Sequence, residues 1–196
     1  MVTKDEVSEL ARSAIDDVFA SLHKPSLHKH GADGKEWTRK ITERLCDAGK
    51  QKSLRVSAHG QGNGWGEWLY DVCWLGYAET GSSSSPKHLV DPELDFLKQA
   101  VLIVESEFGN LGDVRDDFHK LVVGRALVRC MIFDGRQRDG LEIAEWLSEM
   151  VNAFSGTEPE DFYLLAAYTD EGFRYWHIDR HKGPGPIDVF SPKPSS

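Results

Sequence analysis

Three features of the sequence predict an α/β fold, a sheet with helices on its faces. Segments with apolar residues at helical spacing alternate with short runs rich in branched and aromatic residues. The elements follow the order α, α, β, β, α, β, α, β, β. The chain has 196 residues, 40% apolar and 28% charged, enough for one domain that buries roughly two thirds of its unfolded surface.

In the first twenty residues Val7, Leu10, Ala11, Ile15 and Phe19 share one helical face. A loop rich in Pro, Gly and His, "SLHKPSLHKHGADG", follows. "KEWTRKITERLCDAG" sets Trp37, Ile41 and Leu45 at helical spacing and stops at Gly49. From Val56 to Tyr77 the period changes to two, with "HGQGNGWG" interrupting, which predicts a strand forming one arm of a hairpin. In "DPELDFLKQ", Asp91 as N-cap and Pro92 at the first helical position predict a short helix. "LIVESEFGN" is then a strand, and Asp113 is expected to cap a helix with Val114, Phe118, Leu121 and Val122 inward and Asp116 at its third position. "ALVRCMIF" is a further strand and "LEIAEWLSEMVNAF" a further helix. "DFYLLAAY" and "FRYWHI" around the turn "TDEG" form a C-terminal β-hairpin, and "GPGPIDVFSPKPSS" is an irregular end. Residues 1–190 are taken as one domain and 191–196 as a mobile tail.

Composition excludes several classes. No apolar run reaches the ~18 residues of a membrane span, and the polar, acidic start "MVTKDEVSEL" lacks the order of a secretory signal. A cytoplasmic location is the default expectation. Cys46, Cys73 and Cys130 stand among apolar neighbours without a C-x-x-C pair and read as reduced core residues. A formal charge of −9 gives no general attraction to a phosphate backbone.

The chemistry-bearing feature is a pair of acids ending an apolar strand. Glu105 and Glu107 lie two apart and so point to one side, together with Ile103. Asp71 is set among Leu69, Tyr70, Val72, Cys73 and Trp74, where an ionised carboxylate loses hydration unless a positive charge is near. If the two strands are neighbours, about 4.8 Å apart, Asp71, Glu105 and Glu107 converge as hard oxygen ligands suited to Mg²⁺ or Mn²⁺. Glu67 would be roughly 13 Å farther along its strand. A competing reading ends the strand in solvated glutamates and pairs Asp71 with an arginine such as Arg129, which lies inside an otherwise apolar strand.

Over residues 36–133 this pattern resembles the PD-(D/E)XK nucleases, in which an acid on one strand is followed by a D/E-x-K on the next. The matches are Asp71 in "WLYDVCW" and Glu105 in "VESEF", then the helix "VRDDFHKLV" and the strand "ALVRCMIF". No proline precedes Asp71, and Glu107 stands where the family has lysine, as an acid does in one restriction endonuclease of the family. The resemblance implies a restriction endonuclease-like core, a central mixed sheet flanked by helices. It implies a nuclease acting on nucleic acid, DNA ahead of RNA, with Mg²⁺ or Mn²⁺ on Asp71 and Glu105. Glu107 would be a ligand or water-activating base, and Lys120 a lysine displaced to the following helix. Lys120 has the alternative of a solvated pair with Asp116 or Asp117. The alternative function is a nuclease-fold protein without cleavage activity, serving as an interaction or regulatory module. A homodimer is compatible with either.

Weaker signals surround this core. "HGQGNGWG" precedes a strand rather than following one, unlike a dinucleotide loop. His28, His30, His177 and His181 lack a zinc pattern. Arg174, Arg180, His181 and Lys182 form a small basic cluster among aromatics that could contact phosphates. Serine chemistry is not supported, since Ser106 falls opposite the acids and no G-x-S-x-G elbow is present.

Overall fold

The computed structural model describes residues 2–22, 34–58, 69–78, 96–136, 138–179 and 183–186. Outside them lie the loop at 23–33 with His28 and His30, the glycine-rich stretch and Glu67, residues 91–95 of the expected short helix, Arg180, His181 and Lys182, and the tail from 187.

Among the described residues the architecture is α/β: four helices and one seven-stranded mixed sheet whose strands follow sequence order. Helices α1 (Lys4–Leu22) and α2 (Gly34–Gln51) come first, then strands β1 (Arg55–Ala58), β2 (Val72–Ala78) and β3 (Phe96–Glu107). Helix α3 (Leu111–Val123) leads to β4 (Val128–Asp134), and α4 (Gly140–Ala153) leads to β5 (Tyr163–Thr169), β6 (Gly172–Asp179) and β7 (Gly183–Pro186). β1, β2 and β3 form an antiparallel meander, β3, β4 and β5 are parallel, and β5, β6 and β7 are antiparallel again. Each of the two parallel steps carries an intervening helix, since a parallel pair needs a crossover that a tight turn cannot supply.

Burial follows from this layering. The central strand "VRCMIFD" is buried along its whole length, as expected for a parallel strand covered on both faces. On one face Val72, Trp74, Leu102, Val104, Cys130 and Ile132 pack with the apolar stripes of α1 and α2. On the other Cys73, Ile103, Met131, Phe133 and Leu165 pack with Phe118 and Leu121 of α3 and Ile143 and Leu147 of α4. Trp74 donates its indole N–H to the Leu45 carbonyl at 3.0 Å, tying β2 to α2. The three cysteines are buried free thiols.

Four local expectations are corrected. Residues 96–99, the end of the expected short helix, are strand, because the register Ala78↔Phe96 and Tyr77↔Leu97 pairs them with β2; ladder hydrogen bonds outweigh a local helix propensity of tenths of a kcal/mol per residue. Val56 to Tyr77 is two strands, not one, and they pair with each other. The cap of α3 is Asn110 rather than Asp113, so the helix starts earlier. Gly183–Pro186, expected to be irregular, pairs with β6 as an edge strand. Prolines are tolerated there because an edge strand leaves one side of its ladder open.

Candidate functional site

The acids meet at the carboxyl end of β3. The β2–β3 register pairs Cys73 with Ile103 and Val72 with Val104, and one further step sets Asp71 opposite Glu105. Asp71 lies just before the first residue of β2, outside the ladder, so its carboxylate can reach the strand end. Its Oδ2 accepts from the Ser106 backbone N–H at 2.8 Å and from the Ser106 hydroxyl at 3.0 Å. Ser106, expected only on the far side from the acids, therefore holds one of them.

Glu105 is 2% exposed. It follows Leu102, Ile103 and Val104 into the core because the parallel partner β4 and helix α3 cover the face it points to. Burial, reinforced by the nearby Asp71 charge, pushes its carboxyl up to about 8. Its Oε1 lies 3.3 Å from Lys120 Nζ but makes no aligned hydrogen bond to any described residue. The contact sets the ammonium beside a buried carboxyl oxygen without aligning a hydrogen bond to it. Asp71 is also shifted upward, first by burial, with the Ser106 donors opposing.

Lys120 reaches the acids from α3. The 13-residue helix is capped at its start by Asn110, whose side-chain oxygen accepts from Gly112 N at 2.8 Å and Asp113 N at 3.2 Å. It ends at Gly124, with the apolar stripe Val114, Phe118, Leu121 against the sheet. Lys120 falls beside that stripe, and its ammonium is shared between Glu105 and Asp117, the latter at 2.7 Å. Burial opposes its charge, but the hydrogen bond to Asp117 and the field of Glu105 outweigh it, and the ammonium is held more firmly protonated. The alternative reading of Lys120, a pair with Asp117, and its placement at the acids are both present in one arrangement.

Glu107 turns differently. It is half-buried at the last position of β3 and accepts the backbone N–H of Gly109. Burial raises its carboxyl, against the Gly109 hydrogen bond and with repulsion from Asp117, Asp113 and Asp71. The structure therefore brings Asp71, Glu105 and Lys120 together and adds Asp117. Glu107 stays within the field of the acids, engaged by its own turn. Among the described residues no group of three or more His, Cys, Asp or Glu side chains is placed to hold a metal ion. The donors that meet, two carboxylates with one buried oxygen lacking a hydrogen bond, suit a hard cation in chemistry.

Two residues of this cluster escaped sequence reasoning as contributors. Asp117 was visible only through its i, i+3 spacing to Lys120, and Ser106 carried no signal because it alternates away from the acids. Arg129 does not pair with Asp71. It is 1% exposed in β4 and pairs with Asp161 at 3.0 Å. Arg174 is exposed and 3.7 Å from Glu171, on β6, across β4 and β5 from the acids. Comparison of the chain with protein-family models, with curated proteins and with solved structures gave no match.

Proposed function

We propose that the chain is a metal-dependent nuclease of the PD-(D/E)XK type that hydrolyses phosphodiester bonds in nucleic acid, DNA in preference to RNA. The observation that carries this reading is the meeting of Asp71, Glu105 and Lys120 at the end of β3, with Glu105 almost wholly buried and its Oε1 without a hydrogen bond. A carboxylate in that setting is unfavourable unless a cation serves it. Asp71 and Glu105 would hold Mg²⁺ or Mn²⁺, and such an ion when bound offsets charge on a phosphoryl group and lowers the pKa of a water. Ser106 fixes the rotamer of Asp71 through two hydrogen bonds. Lys120 presents a positive charge beside the acids, available to an anionic phosphoryl oxygen. Glu107, in the place of the signature lysine, would take a proton from the attacking water. The element order β2, β3, α3, β4 supports the reading, since it is the order of the matched segments in the resemblance.

Purified protein with Mn²⁺ or Mg²⁺ is expected to nick supercoiled plasmid. Asp71→Asn and Glu105→Gln should each lower the rate by about a hundredfold or more, and equal nicking by wild type and both variants would refute the assignment.

A second reading, a nuclease-fold module without cleavage activity, is favoured by the ammonium of Lys120. It already lies 3.3 Å from Glu105 Oε1 and 2.7 Å from Asp117, supplying a positive charge from the chain itself. Thermal unfolding separates the two. The nuclease reading expects Mn²⁺ to raise the melting temperature of wild type and not of Glu105→Gln, and the module reading expects no metal-dependent difference.

A further inference from the structure

The chain leaves β4 through the turn "DGR", residues 134–136, which its own backbone closes. Gly135 N–H donates to the Tyr168 carbonyl at 2.9 Å, and Arg136 N–H donates to Asp134 Oδ1 at 2.9 Å. The Arg136 guanidinium adds nothing to that closure, yet it is fixed on two sides. Its Nε donates to Asp134 Oδ1 at 2.9 Å and its Nη2 to Asp134 Oδ2 at 2.7 Å. One face of the group lies over the Tyr168 ring, 4.7 Å from the centroid, and that ring is 7% exposed and packed against Trp37.

The Asp134 side chain is 5% exposed and that of Arg136 40%, so the pair runs from the interior to the surface with the guanidinium outermost. Two of the five guanidinium N–H donors go to Asp134, and the others meet no acceptor among the described residues. A guanidinium already set by a carboxylate on one edge and a ring on one face loses little further freedom when its second edge takes an anion.

Position in the sheet indicates the anion. The β3–β4 register sets Phe133 beside Glu107, so the Cα of Arg136, three residues on, lies within about 15 Å of that of Glu107. Asp134 continues the face of Cys130 and Ile132, and Ser106, which holds Asp71, lies on the same face. Arg136 and the acids thus share the carboxyl end of the parallel strands, where open α/β sheets take their ligands. We infer that Arg136 is a backbone contact for a nucleic-acid substrate. Its second edge takes the non-bridging oxygens of a phosphodiester a few nucleotides from the one at the acids, at about 3.4 Å of rise per step. The inference rests on the nuclease reading for the class of its ligand, not for cleavage.

Fluorescence anisotropy of a labelled DNA duplex tests it, with the full chain and Ca²⁺ in place of Mg²⁺, from about 0.05 to 0.2 M salt. Asp134→Asn combined with Arg136→Gln removes one charge of each sign, so the net charge stays at −9, and two amides can still bond to each other. This exchange should weaken binding several-fold and lower the slope of log affinity against log salt by about 0.9, the share of one phosphate. Arg136→Lys keeps the charge without the fork and should also weaken binding. Arg125→Gln with Glu158→Gln, the same exchange in an exposed pair at the amino end of the parallel strands, should leave affinity and slope unchanged. The inference is overturned if wild type binds no DNA, if the exchange at Arg125 lowers the slope equally, or if the exchange at Arg136 leaves it unaltered. Should that exchange fail to fold, wild-type affinity in Arg136→Lys overturns it. DNA binding of the expected pattern without nicking of plasmid would refute the nuclease reading alone, and nicking with an unaltered slope would refute this contact alone.

Discussion

At the level of single residues the most consequential side chain is Glu105, which keeps its proton to about 8 in the folded chain because burial and Asp71 disfavour its charge. In the unfolded chain the same carboxyl titrates near its ordinary value, 4.5. Between those two values the folded state holds more protons than the unfolded state, so this group makes stability fall as pH rises. The contribution is greatest below the unfolded value and is lost by about pH 8. Urea unfolding of the metal-free protein between about pH 5 and pH 8 should show that slope, at most about 1.4 kcal/mol per pH unit, and Glu105→Gln should remove it. An identical slope in the variant would mean that Glu105 does not titrate in this window. Asp71 and Glu105 were legible in the sequence because an acid inside an apolar run is conspicuous. Ser106 and Asp117 were not, since their roles rest on where another segment's carboxylate ends up. Arg129 was legible as a buried cation, but its partner, 32 residues along the chain at Asp161, was decided by strand order.

Among the elements, α3 sets the position of Lys120, and its start is fixed by Asn110. That side chain accepts two of the backbone N–H groups that the first turn leaves unpaired, and its amide donates to Asp113 at 2.7 Å. Asn110→Ala should therefore cost about 1 kcal/mol of unfolding free energy, read as a lower urea midpoint at unchanged slope. A cost within error of zero would show that Asp113 takes over the cap, as the sequence pattern first suggested. The other end is constrained by packing, since a Cβ on Gly124 would meet the Tyr70 hydroxyl and come within 2.7 Å of Ile103 Cδ1. Most helix and strand identities followed from periodicity, whereas boundaries and the identity of residues 96–99 did not. "FLKQ" carries a helix pattern, yet pairing with Gly76 to Ala78 makes it strand, and the energy of a ladder is not visible within one segment.

For the whole molecule, the formal charge of −9 opposes association with nucleic acid. If the acids at β3 meet a phosphate backbone, a divalent ion must offset the repulsion between them. Retention of labelled DNA on a filter at about 0.15 M salt is therefore expected with Mg²⁺ and not in EDTA. Equal retention in both conditions would place binding elsewhere on the surface. No helix of the described residues is long and apolar enough to cross a membrane.

Apart from residues 96–99 and Gly183–Pro186, the linear chain determined which segments are helical or extended, which faces are apolar, and which acids stand in places too dry for them, because these depend on residue type and spacing. Only the tertiary structure decided that β3 lies between β2 and β4, that Asp71 comes opposite Glu105, and that α3 brings Lys120 and Asp117 over the same strand end. The physical reason is that contacts between distant segments follow from sheet order and helix placement, which minimise exposed apolar area across the whole chain and leave no mark in any short stretch of it.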